Sequence, residues 1–211
     1  MLIEAVRRRP SGAAAMSVLS VILGLVGIGL FMFPFFTDVY AGRVQTRLEQ
    51  EFESPQMRQI YLSGQVKAGQ GLTRIAIPKL GVQALVVEGT SPAALRAGAG
   101  HYENTPLPGQ KGNVGIAGHR TTYGKPFSRM DELRSGDLIT LETPVATYTY
   151  QVVDPFGGHG NPWITVPEDW SVVAQDVKEP SLTLTSCHPK GSAKQRIVLR
   201  ARLIKSVPKP A

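Results

Sequence analysis

From Met16 to Phe36 the chain runs for 21 residues without a single charged side chain, and Arg7, Arg8 and Arg9 stand just ahead of it. No other stretch restricts the fold so strongly. An apolar segment of that length, wound as a helix rising about 1.5 Å per residue, spans roughly 32 Å and matches a hydrocarbon core of about 30 Å. One transmembrane helix is expected over residues 16–36. The arginines on its N-terminal side, set against the mixed Asp38, Arg43, Arg47, Glu49 and Glu51 after it, place residues 1–15 in the cytoplasm and the remainder outside. The alternative is a cleaved signal peptide ending near Val39-Tyr40-Ala41, but signal h-regions run to only about 7–15 residues. Both readings export everything that follows.

Beyond the span, Tyr40, Val44, Leu48 and Phe52 recur at steps of four, the period of a short amphipathic helix that stops before Ser54-Pro55. Residues 37–70 are therefore expected to be a stalk or linker beside the membrane, with the polar stretch 65–71 marking the edge of the folded domain. That domain is expected over 71–205, followed by a tail at 206–211. Within it, Thr73–Ile77 and Gln83–Val87 flank a Pro-Lys-Leu-Gly turn, and Ser91-Pro92 offers an N-cap and first-turn proline for a helix to Arg96. Asn113–Gly118 reads as a strand of alternating small residues ending at His119. Pro126–Leu133 reads as a short helix, and Asp137–Glu142 and Ala146–Val153 as paired strands. Residues 155–167 form a Gly/Pro-rich loop, and Leu182–Cys187 and Arg196–Ile204 complete the sheet. With 22 glycines and 16 prolines, turns are plentiful and long soluble helices are not. The predicted class is all-β: about eight strands closing into a barrel, a form that leaves no exposed sheet edge, with short helices only.

The formal charge of +7 suits nucleic acid, an anionic membrane or an acidic wall polymer alike. No basic run or aromatic-basic motif supports the first, so nucleic acid is not expected as a partner.

Chemistry centres on Cys187, the single cysteine. It can form no internal disulfide and cannot furnish the thiolates of a structural zinc site, so it is either a nucleophile or a small buried hydrophobe. A nucleophilic thiol needs a basic or cationic neighbour. His188 is adjacent, yet successive residues of a strand face opposite ways. His159 lies in a glycine-rich loop and His101 before a proline-rich turn. His119, at the end of a small-residue strand, can project over a groove. Arg196 begins the strand after the one ending at Cys187; if the two are antiparallel neighbours, its guanidinium lies near the sulfur and could stabilise an oxyanion. Pairing with a surface acid is the open alternative for Arg196.

These segments together resemble those of the sortases, membrane-anchored cysteine transpeptidases of Gram-positive cell walls, and are most similar to class E of actinobacteria. The resemblance covers about residues 73–204 and rests on Arg74–Gly81, Gly100-His101-Tyr102, Pro106–Gly109, Gly112–Gly124, Thr183–Pro189 and Ser192–Arg196. It implies a sortase-type barrel and catalytic roles for Cys187, His119 and Arg196, with Tyr123, Thr185, Ser186 and Arg120 at the substrate. Tyr123 falls where the family places a residue linked to preference for Leu-Ala-x-Thr-Gly over Leu-Pro-x-Thr-Gly signals. Secreted proteins bearing such C-terminal signals and a cell-wall or pilin amine are the implied partners, the membrane is the implied location, and no metal or other cofactor is implied. Two positions depart from the family pattern. Ser186 stands where threonine is usual, and Gly191 where an aromatic residue commonly follows Pro-Lys or Pro-Arg. A hydrolytic cell-wall cysteine peptidase or amidase, and a tethered binding module without activity, are the rival readings.

Overall fold

The computed structural model describes residues 12–155, 158–175, 177 and 179–210. Arg7–Arg9, on which the expected orientation rests, lie outside the described residues, as do parts of the loop 155–167. The chain divides into two compact units, residues 1–36 and 37–211.

In the first unit, helix α1, Gly12–Phe52, carries the apolar run. It is long and apolar enough to cross a membrane, and the leucine, isoleucine, valine and phenylalanine side chains from Val18 to Phe36 are exposed.

The second unit is built on nine strands among the described residues. They are β1 (Gly71–Ile77), β2 (Val82–Glu88), β3 (Ala99–His101), β4 (Asn113–Gly118), β5 (Leu138–Glu142), β6 (Ala146–Val152), β7 (Trp163–Thr165), β8 (Ser181–His188) and β9 (Gln195–Pro208). Eight of them form a ring in the order β6-β5-β1-β2-β3-β4-β8-β9, closed by pairing of β6 with β9, while β7 attaches to β9 outside it. The expected all-β barrel of about eight strands is thus present. The strands β3 and β7 went unforeseen because three residues are too few to display a period of two.

Alternation accounts for the interior. Ile75 and Ile77, Val114 and Ile116, Ile139 and Leu141, Leu182 and Leu184, and Ile197 and Leu199 point into one core from five strands. The segment after β4 closes an end of it with Phe127, Met130 and Leu133, all fully buried. Residues 126–133 were expected to be helical, yet only Met130–Glu132 makes a 3-10 turn. These side chains serve as a plug whose packing outweighs helical propensity.

Residues 40–52 do not form a separate helix; they are the last turns of α1. Ser54 ends that stretch and N-caps α2 (Pro55–Leu62), accepting a hydrogen bond from the Met57 amide at 3.3 Å. Leu48, Phe52 and Met57 form a second apolar cluster with Leu85, Val87, Ala94 and Ala97 on the outer face of β2. Arg74, the most enclosed ion-pair partner there, reaches Glu49, Glu53 and Glu142. Ser91 caps α3 (Pro92–Leu95) as expected, taking the Ala94 amide at 3.2 Å.

Candidate active site

Topology gathers the site at one rim. β4 and β8 are parallel neighbours, so both strands end at the same side of the barrel, and β9, antiparallel to β8, begins there. On β8 the alternation that sends Leu182 and Leu184 inward sends Thr183, Thr185 and Cys187 outward. Thr183 donates to Asn113 Oδ1 at 2.8 Å, and the Thr185 hydroxyl lies 2.9 Å from the Tyr102 hydroxyl. On β9 the same rule turns Ile197 and Leu199 inward and Arg196 outward, directly opposite Cys187. The expected hairpin is therefore present, in register at the two residues that matter.

The small residues of β4 have two separate reasons. A Cβ on Gly115 would stand 2.8 Å from the Tyr102 ring and 3.0 Å from Val173, while one on Gly118 would stand 2.6 Å from the Phe127 ring. Glycine at 115 thus lets the groove wall descend onto the strand, and glycine at 118 lets the plug rise beneath it. The backbone pairing of β4 with β8 ends at Ala117 and Thr185. One residue further, Ser186 Oγ donates to the Gly118 carbonyl at 2.7 Å, prolonging the joint toward His119 and Cys187.

The result is an open groove with about 300 Å³ of room. It is lined by His119, Thr185, Ser186, Cys187 and Arg196, by Leu95 and Tyr102, and by residues of the segment from Thr165 to Val172. Trp170, 68% exposed, meets Tyr102 edge to face with ring centres 6.5 Å apart. The half-buried Cys187 carries its Sγ 3.8 Å from Arg196 Nη1. The same nitrogen donates to the carbonyls of Ala193 and Gln195, each at 3.0 Å, which holds the guanidinium beside the sulfur. Arg196 has no carboxylate partner among the described residues, so the surface ion pair held open as its alternative role is not what the structure forms.

No carboxylate or amide side chain hydrogen-bonds to His119 among the described residues. Its ring instead packs against Tyr123, with centres 5.1 Å apart and planes inclined by 38°. Burial lowers its pKa below the ordinary histidine value of 6.5, since a desolvated imidazolium is disfavoured. The lowered pKa favours the neutral ring, the form able to accept a proton.

The four residues assigned to the substrate divide. Thr185 and Ser186 border the groove. Tyr123 is not among the residues lining it and instead flanks His119. Arg120 is 4% exposed, and its guanidinium is committed to the Ser128 carbonyl at 3.0 Å and Asp131 at 2.7 Å. Of the other histidines, His101 is buried, with Glu88 2.9 Å from its Nδ1 and Thr105 2.9 Å from its Nε2. His159 stacks on Trp163, and His188 occupies the strand position after Cys187, paired with Gln195. Tyr102 and Trp170 were not singled out from sequence. Their contribution depends on a three-residue strand and a 3-10 turn, neither of which leaves a periodic signature. Among the described residues no cluster of His, Cys, Asp or Glu is arranged to hold a metal ion.

Comparison with known proteins agrees with this geometry. Residues 75–204 match the sortase domain family. The chain is 31% identical to Sortase SrtE1 of Streptomyces coelicolor in an alignment 160 residues long that covers 69% of this chain and 44% of that protein. It thus spans under half the length of that relative. A sortase E structure from Streptomyces avermitilis superposes with a TM-score of 0.60 at 35% identity, covering 68% of this chain and 97% of that one. A Clostridium perfringens Sortase D5 transpeptidase gives a TM-score of 0.65 at 28% identity, covering 79% of this chain and 99% of that one.

Proposed function

Because the chain belongs to the sortase family, we propose that it is a membrane-anchored cysteine transpeptidase whose nucleophile is Cys187. The single observation that carries this reading is the sole cysteine of the chain facing a groove, 3.8 Å from a guanidinium that has no carboxylate partner among the described residues. The relatedness to a Clostridium perfringens transpeptidase supports transfer as the outcome.

In this mechanism the Cys187 thiol gives its proton to His119, and the thiolate so formed attacks the threonine carbonyl carbon of a Leu-Ala-x-Thr-Gly or Leu-Pro-x-Thr-Gly signal. The C–O π electrons move to oxygen, and Arg196 donates to the oxyanion. As the tetrahedral intermediate collapses, the C–N bond to glycine breaks and His119, in its protonated form, gives its proton to the leaving amine. A thioester between Cys187 and threonine remains. An amine from a wall precursor or pilin then attacks that carbonyl, His119 takes the proton released, and the new amide leaves as the thiolate is regenerated. Thr185, at the groove, serves as a contact to the signal, and Tyr123, outside the groove lining, acts on the site through its packing against His119. Ser186 and Arg120 support the site through the main chain, Ser186 by joining β8 to β4 and Arg120 by holding residues 128–131. The apolar half of α1 anchors the enzyme, with its N-terminus in the cytoplasm and the barrel outside, where secreted proteins and wall amines meet.

Product analysis tests this reading. The enzyme is incubated with a Leu-Ala-x-Thr-Gly peptide and an excess of amine, and the expected product is the threonyl amide. Free acid alone identifies a hydrolytic peptidase. Absence of both products, with no adduct from a thiol-directed signal mimic, identifies a binding module.

A further inference from the structure

The second compact unit begins at Thr37, one residue after the apolar run ends. Its first helical turn lies against a bend of unusual backbone. Tyr123, Gly124 and Lys125 are consecutive residues with φ of 52°, 74° and 37°, and only the middle one is glycine. Side chains rarely sit in this left-handed region unless their surroundings hold them there.

The helix supplies those surroundings. Asp38 Oδ1 accepts the Gly124 amide at 2.9 Å, while Asp38 Oδ2 pairs with Lys125 Nζ at 2.5 Å. Thr37 Oγ1 accepts the Tyr123 amide at 3.4 Å. Ala41, 2% exposed, packs under Gly124, where an added Cβ would meet it at 3.8 Å. Tyr40 meets the Tyr123 ring edge to face at 6.3 Å, and the Tyr123 ring in turn packs against the imidazole of His119 at 5.1 Å. The sequence of contacts runs from the helix to the bend, from the bend to Tyr123 and from Tyr123 to His119. Among the described residues no hydrogen-bonded carboxylate or amide takes over the task of orienting the ring.

We infer that Asp38 and Tyr40 are positioning residues for His119: the helical turn 37–41 imposes the left-handed bend 123–125, and the bend presents the Tyr123 ring on which the imidazole rests. The inference rests on the reading of His119 as the group that exchanges protons with the amines. It assigns the segment immediately after the apolar run a part in turnover as well as in tethering.

The experiment uses the full chain in detergent micelles or nanodiscs, with Asp38→Ala, Tyr40→Ala and Tyr40→Phe compared with wild type. Asp38→Ala and Tyr40→Ala are expected to lower kcat for amide transfer by about tenfold while KM for the signal peptide stays within about twofold, because a displaced proton donor slows chemistry without loosening binding. Tyr40→Phe keeps the ring and restores kcat. In the same proteins the His119 ring resonances, identified by their loss in His119→Gln, should move in the two alanine variants and return in Tyr40→Phe. Wild-type kcat and unshifted His119 resonances in both alanine variants overturn the inference. So does a rise in KM at constant kcat, which would make the turn an edge of the substrate site. If Asp38→Ala fails to fold, the Tyr40 pair, at a position 51% exposed, decides the matter. A wild type that yields only free acid refutes the transpeptidase reading, and the resonances still decide whether the helix positions His119.

Discussion

At the scale of single residues, Cys187, His119 and Ser186 make different demands on the fold. Cys187 is half-buried at the rim, so its removal leaves no sealed cavity. Cys187→Ala is expected to lose acyl transfer by at least about a thousandfold while its unfolding free energy stays within about 1 kcal/mol of wild type. Activity assays paired with urea titrations check both. His119 has a pKa lowered by burial, so the unfolded chain binds a proton more readily than the folded one. The stability linked to this histidine is therefore fully present above about pH 6.5 and is lost as pH falls through that value toward the lowered folded pKa. Urea midpoints measured near pH 7.5 and near pH 5.5 are expected to fall less between the two in His119→Gln than in wild type. Ser186 uses only its hydroxyl, on the Gly118 carbonyl. Ser186→Thr should retain activity, whereas Ser186→Ala, which strands that carbonyl beside the nucleophile, should lose about 1–2 kcal/mol in denaturant titration.

At the scale of elements, Gln45 shows how a helix can stand in for a strand. β3 begins only at Ala99, opposite Val86, so the outward N–H and C=O of Leu85 have no strand beside them. Gln45 Oε1 accepts the Leu85 amide at 2.7 Å, and its Nε2 donates to the carbonyls of Leu85 at 3.0 Å and Ala97 at 2.6 Å. Gln45→Leu preserves helix propensity and volume but leaves these groups unpaired; a loss of about 2–3 kcal/mol in chemical denaturation is expected. Gln45 was not legible from sequence, since a polar residue between apolar positions of an amphipathic helix reads as solvent-facing. The steps of four through Leu48 and Phe52 did identify the buried face, and strand-type runs bounded by turn residues identified β1, β2, β4, β5, β6, β8 and β9. The hairpin placing Arg196 opposite Cys187 was legible for the same reason: strand ends joined by a short loop meet. His119 needed more, because its nearness to Cys187 follows from a parallel pairing between strands 68 residues apart, which no local pattern announces. The bend at Tyr123 was hidden too, since two of its three left-handed residues are not glycine.

At the scale of the whole molecule, the ring is sewn largely from distant partners. β1 pairs with β5, β4 with β8 and β6 with β9, each joining strands far apart in sequence. Proteins dominated by such pairings fold in about milliseconds to seconds rather than microseconds. Refolding of a chain starting at Thr37, followed by stopped-flow fluorescence of Trp163 beside β9 and Trp170 beside the groove, is expected in that range; a microsecond phase carrying the full amplitude would contradict it. Among the described residues, β9 both closes the ring and delivers Arg196. Without β9 docked on β8, Cys187 has no guanidinium beside its sulfur. Closure of the ring and pairing of the thiol with its cation are thus one event: under the proposed mechanism, a chain whose β9 is undocked keeps the sulfur and lacks the group that would steady the oxyanion.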